Sequence, residues 1–115
     1  MEEENKIAAA VVDAAIRVHR ELGPGLLESA YQSVLAHVLR SEGFKVEREK
    51  PQPIYFEGER IDCGYRIDLL INDKVIIELK AVERFKKIHV AQVITYLKLS
   101  GCKLGILLNF NVRLL

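Results

Sequence analysis

From Ile7 onward the apolar positions Val11, Val12, Ala15, Ile16, Val18 and Leu22 recur at helical spacing, which predicts an amphipathic helix. Gly23-Pro24-Gly25 ends it, because proline cannot continue a helix and glycine permits a positive φ. Leu27, Tyr31, Val34, Leu35, Val38 and Leu39 line one side of a second helix that stops at Gly43. Beyond Phe44 the period drops from 3.6 to 2. Phe44, Val46 and Arg48 alternate with Lys45, Glu47 and Glu49, the pattern of an exposed or edge strand. Short strands at residues 54–56 and 60–62 flank a turn at Glu57-Gly58-Glu59, and residues 65–71 and 75–80 flank Asn72-Asp73-Lys74. A third helix runs from about residue 89 to 100 and closes at Gly101; residues 104–110 read as a buried last strand. The resulting order, α-α-β-β-β-β-α-β, predicts an α+β or mixed α/β fold, a sandwich of helices on a sheet.

Face parity makes the second hairpin the most informative segment. Tyr65, Ile67, Leu69 and Ile71 form one face of its first strand, with Arg66, Asp68 and Leu70 on the other. Only a three-residue loop, Asn72-Asp73-Lys74, pairs the apolar faces: Ile71 with Val75, Leu69 with Ile77 and Ile67 with Leu79. That register sets Asp68 opposite Glu78 and Arg66 opposite Lys80, with facing Cβ atoms about 4.5–5.5 Å apart. Two carboxylates so close repel unless a proton or cation lies between them. As hard oxygen donors they suit Mg²⁺ or Mn²⁺ better than zinc, and Lys80 shares their face. Two acids and a lysine beside a sheet form a constellation for phosphodiester hydrolysis. Alternating charge is also how a solvated strand face looks, and Arg66 and Lys80 could neutralise the acids as a metal-free ladder. Both readings stand on the hairpin alone.

The remaining composition narrows the setting. The chain has 115 residues, one domain's worth (1–115), and no repeat or linker divides it. Seventeen Lys and Arg against sixteen Asp and Glu leave a net charge of +1, so nucleic-acid binding must rest on a local patch. Cys63 and Cys102 are too few for a disulfide framework and read as reduced, buried small side chains. The acidic start, Met1-Glu2-Glu3-Glu4, is unlike a leader, and no apolar run nears the roughly 20 residues that span a bilayer. A cytoplasmic domain is expected.

Asp68 followed by Glu78-Leu79-Lys80 resembles the motif of the PD-(D/E)XK nuclease superfamily, with Ile67 where a proline often stands. Gln92-Val93-Ile94-Thr95-Tyr96 is similar to the QxxxY element of RecB-like members. Gly25-Leu26-Leu27-Glu28-Ser29-Ala30-Tyr31 resembles the signature of the GxxExxY branch, as does the stretch from Ile61-Asp62-Cys63-Gly64 to Asp68. The resemblance implies a restriction-endonuclease-like core and a Mg²⁺ or Mn²⁺ ion held by Asp68, Glu78 and the Leu79 carbonyl, with Glu28 completing the shell, often through water. It implies that Lys80 orients or helps deprotonate the attacking water and stabilises the pentavalent phosphate. Gln92 and Tyr96, one turn apart on a helix, would position that lysine or a substrate phosphate. Arg84, Lys86 and Lys87 form the best local basic patch for nucleic acid.

Other polar residues have simpler readings. Tyr31 falls on an apolar stripe and reads as core with a tethered hydroxyl. His19 near a helix end reads as structural, with an approach to Glu28 as a minor alternative; His37 and His89 read as surface. Three functions compete: a divalent-metal-dependent nuclease acting on DNA or structured nucleic acid, with DNA rather than RNA the expected partner; a non-catalytic binding or interaction module; and a hydrolase of small phosphate compounds. A weakly charged small domain neutralises few phosphates; small relatives such as Holliday-junction resolvases dimerise, and the resemblance implies a homodimer here.

Overall fold

The computed structural model describes residues 1–113. Its elements are α1 (Glu2–Leu22), α2 (Glu28–Ser41), β1 (Val46–Pro51), β2 (Ile54–Phe56), β3 (Glu59–Ile61), β4 (Arg66–Ile71), β5 (Val75–Lys80), α3 (Lys87–Ser100) and β6 (Leu104–Asn109). Five strands precede α3, one for each strand segment read from the sequence, where the order α-α-β-β-β-β-α-β counts four; α3 begins two residues before the expected 89. β2 and β3 pair only with each other, as a separate ribbon closed by Glu57 and Gly58. Both turn residues have positive φ, 50° and 82°, as a two-residue hairpin loop matched to strand twist requires.

The main sheet has the order β1-β4-β5-β6. β1 is its antiparallel edge, as the alternating charges of that segment predict. β5 and β6 run parallel, with α3 as their crossover. Helices cover both faces. On one, Ile7, Val11, Ala14 and Val18 of α1 and Tyr31, Leu35 and Leu39 of α2 pack on Leu69, Ile71, Ile77, Leu79 and Phe110. On the other, Tyr96 of α3 packs on Ile67, Leu70 and Ile76. α3 lies close to the sheet because Gly105 leaves room for it: a Cβ there would sit 2.6 Å from Val93 Cγ1. Gly105→Ala is therefore expected to cost about 1–3 kcal/mol by overpacking, measurable by urea unfolding.

The three-residue hairpin loop forms as parity requires, pairing Ile71 with Val75 and Leu69 with Ile77. Asn72 and Asp73 take φ of 51° and 58°, and the Asn72 carboxamide accepts the Lys45 N–H at 2.9 Å. One expectation fails below Leu69. Strict alternation puts Ile67 on the face of Leu69, yet it packs with Leu70 and Ile76 on the α3 side. The β1–β4 ladder skips the Glu49–Asp68 position, where Glu49 has φ 52°, and resumes in the same register at Lys50–Ile67. This irregularity sits at Asp68 itself.

Candidate active site

β5 delivers Glu78 and Lys80 to the α3 face, in step with Ile76. The β4–β5 ladder ends at Leu69–Ile77. Beyond it the Asp68 carboxylate accepts the Leu79 N–H at 2.8 Å. In an antiparallel pair the N–H and C=O of one residue point to the same neighbour, so the Leu79 carbonyl also faces the Asp68 side. Arg66, expected opposite Lys80, lies exposed beyond the end of this ladder.

Glu78 is only 2% exposed, and its Oε1 has no hydrogen-bond partner among the described residues. Burial, then hydrogen bonding to Asp68 and the Asp68 charge, push its carboxyl up to about 9, while Lys80 opposes the shift. At neutral pH it therefore holds a proton against Asp68. Tyr96, also buried, closes the site from α3; burial and then the charge of Glu78 push its hydroxyl up, so it stays a phenol. Gln92 Nε2 donates to the Tyr96 oxygen at 3.3 Å, as their one-turn separation permits.

Glu28 arrives from the opposite layer. It opens α2, and its Oε2 accepts the Ala81 N–H at 3.0 Å, one residue beyond Lys80. Tyr31 fixes the loop that brings it there: the phenol donates to the Gly23 carbonyl and accepts the Leu26 N–H at 3.1 Å. Its ring stacks on Phe110, with centroids 4.4 Å apart. Gly25, Glu28 and Tyr31 thus form one device, a turn held from below that carries an acid to the end of β5. Tyr31→Phe is expected to cost about 1 kcal/mol, the size of a lost buried hydrogen bond, and to mobilise residues 23–28 in hydrogen exchange.

Several polar residues that the sequence did not single out support this arrangement. Asn109 is buried; its Oδ1 accepts the N–H of Val82 (3.1 Å) and Asn111 (3.0 Å), and its Nδ2 donates to the Val82 carbonyl (2.8 Å). It fixes the chain leaving Lys80. Gln32, one turn beyond Glu28, donates to Glu49 Oε1 at 2.8 Å and accepts from Arg48 at 3.1 Å, bracing the irregular step opposite Asp68. The one available signal was the helical spacing of Glu28 and Gln32.

His19 does not approach Glu28: its Nε2 lies 2.7 Å from the Val112 carbonyl, beneath Phe110. His89 is half-buried and structural, its Nδ1 accepting the Lys86 N–H at 3.0 Å at the start of α3. Cys63 is exposed, contrary to expectation, because the stretch before β4 lies outside both cores; Cys102 packs partly against the α3-side core. Arg84, Lys86 and Lys87 are exposed at the entry to α3.

A family profile for the PD-(D/E)XK nuclease superfamily matches residues 5–115. The chain belongs to this superfamily. No curated protein and no solved structure matches it. PD-(D/E)XK nucleases generally use divalent metals, and the donors here can be tested for fit. Among the described residues no three His, Cys, Asp or Glu side chains cluster as a metal site, and Glu28 Oε2 accepts the Ala81 N–H. Two carboxylates, one with an orphaned buried oxygen, and a carbonyl on the same side are nonetheless a hard, oxygen-only set. Magnesium characteristically takes one or two protein carboxylates and fills its remaining positions with water and substrate phosphate. The residues present fit such an ion. The described helices include none long and apolar enough to cross a membrane.

Proposed function

We propose that this PD-(D/E)XK domain is a nuclease, hydrolysing phosphodiester bonds of DNA in preference to RNA with Mg²⁺ or Mn²⁺. The observation that carries this reading is the buried Glu78 oxygen left without a partner beside Asp68. A satisfied ion-pair ladder would leave no such oxygen, and a buried unpaired carboxylate is costly unless a proton or cation takes it up. Asp68, Glu78 and the Leu79 carbonyl would hold the ion, which when bound supplies a bound water of lowered pKa and offsets charge on the phosphate.

The chain's own groups do the rest. Lys80, two residues beyond Glu78 on the same strand face, would orient or help deprotonate the attacking water and stabilise the phosphate. Glu28 and Asn109 fix the backbone on either side of Ala81 and thereby hold Lys80 in place. Tyr96 and Gln92 wall the site and offer a phenol and an amide toward a phosphate oxygen. Arg84, Lys86 and Lys87 would contact the backbone of the substrate. The pattern at Gly25, Glu28 and Tyr31 supports assignment to the GxxExxY branch, and the unpaired thiols suit a reducing cytoplasm. With a net charge of +1 the domain would gain grip by acting as a homodimer.

The test is cleavage of end-labelled single-stranded, duplex and branched DNA, and of RNA, in EDTA and in Mn²⁺. Cleavage only with metal, and lost in Glu78→Gln, is the expected result. No cleavage of any substrate, with Mn²⁺ failing to shift the melting temperature, would leave a non-catalytic interaction module.

A further inference from the structure

An apolar cleft lies against Tyr96 and Gln92 of α3. It measures about 390 Å³ and is lined by Tyr65, Ile88, Leu99, Gln92, Thr95 and Tyr96, between α3 and the chain entering β4. Tyr65 stands edge-on to Tyr96, ring centroids 6.3 Å apart, and remains 47% exposed, so its ring is available to a ligand. Ile88 is 68% exposed on the opposite lip. Gln92 and Thr95 supply amide and hydroxyl groups within otherwise apolar walls.

Two features identify the occupant. Tyr96 and Gln92 belong both to this cleft and to the acid site, so whatever fills the cleft lies next to the proposed scissile phosphate. His89 forms a wall shared with a second hollow of about 290 Å³, lined by Val82, Glu83, Arg84 and Lys86. Among the described residues Arg84, Lys86 and Lys87 make no ion pair. An apolar, aromatic slot beside unpaired cations, with the carboxylates next to Tyr96, matches a nucleotide: base, backbone and reacting phosphate.

We infer that the cleft receives an unpaired nucleobase adjacent to the bond to be cut, which makes single-stranded or frayed nucleic acid the substrate class. A paired base keeps its faces stacked and its edge hydrogen-bonded, so a duplex cannot fill the slot without extruding a base. Tyr65 supplies the stacking surface, and Thr95 meets the base edge. Stacking on an aromatic side chain tolerates any base, so the cleft selects strandedness rather than sequence. The inference rests on the nuclease reading for the identity of its ligand, but binding tests it without catalysis.

The experiment is fluorescence anisotropy of the full chain, in EDTA at low ionic strength, with three labelled probes of about 12 nucleotides. These are a thymidine strand, an abasic sugar-phosphate strand of equal charge, and a duplex. The thymidine strand is expected to bind about tenfold tighter than the other two, the effect of one stacked base. Tyr65→Ala and the cleft-filling Ala91→Phe, both at exposed positions, should remove that advantage and leave abasic binding unchanged. Tyr65→Phe should retain it. Equal affinity for thymidine and abasic strands, or an advantage that survives both variants, overturns the base slot. So does the absence of binding to any probe. Discrimination without Mn²⁺-dependent cleavage supports the slot and removes the nuclease reading; cleavage of duplex at a rate unchanged by Tyr65→Ala does the reverse.

Discussion

Glu78→Gln is expected to raise the melting temperature of the metal-free protein at pH 8 by about 4–8 °C, the shift that follows from about 1 kcal/mol in a domain near this size. The cause is the raised carboxyl. Folding lifts Glu78 from its ordinary 4.5 to about 9. Between those values the folded chain binds a proton that the unfolded chain does not. Stability is therefore greatest below pH 4.5 on this account and declines as pH rises toward 9. The glutamine amide keeps a donor toward Asp68 and has no charge to bury, so this part of the pH slope should vanish. A series of thermal melts from pH 5 to pH 9 checks both statements. A salt-bridge ladder predicts the opposite sign, since neutralising one member would lower the melting temperature at pH 8.

Lys80→Ala is expected to slow cleavage about a hundredfold or more while leaving Mn²⁺ affinity nearly unchanged, the range typical of a lost proton-transfer or charge-stabilising group. Glu78→Gln should instead lose both metal affinity and cleavage if Glu78 is, as proposed, a ligand of the ion. The separation matters more than either loss. Lys80 is half-buried beside Glu78, so a merely structural role would lower stability and weaken metal binding together. Single-turnover rates at saturating Mn²⁺, with a Mn²⁺ titration on each variant, distinguish the two.

Much of the backbone geometry around Asp68 and Glu78 was legible in the sequence, and for a definite reason. The hairpin loop had to hold three residues because one fewer would turn every apolar side chain of β5 to the wrong face of β4. Asn72 and Asp73 adopt the left-handed conformations that loop needs. Tyr31 was legible as a tethered core residue from the apolar stripe around it, and Gln92 with Tyr96 from their spacing. The face of Ile67 was not, because strict alternation presumes an unbroken ladder. The break at Asp68 lies opposite Glu49, which takes φ 52° on a strand paired from elsewhere in the chain. Nor could spacing reveal that Glu28 turns to Ala81, 53 residues away, or that Asn109 binds both polar groups of Val82. Such contacts depend on how α2 and β6 dock around the end of β5, and the local pattern carries no record of docking. His89 was read as surface for a similar reason: its partner is a backbone N–H, which every sequence offers everywhere.

The central claim is that Asp68 and Glu78 exchange a shared proton for a divalent cation, and isothermal titration of Mn²⁺ into the protein tests it most directly. Run at pH 7.5 in two buffers of different ionisation enthalpy, the titration reads both metal affinity and the protons released. The wild type should bind one Mn²⁺ and release about one proton, because Glu78 holds its proton at that pH until a metal displaces it. Glu78→Gln should bind far more weakly and release none. Absence of binding by the wild type, or equal binding and proton release in the two proteins, would contradict the account.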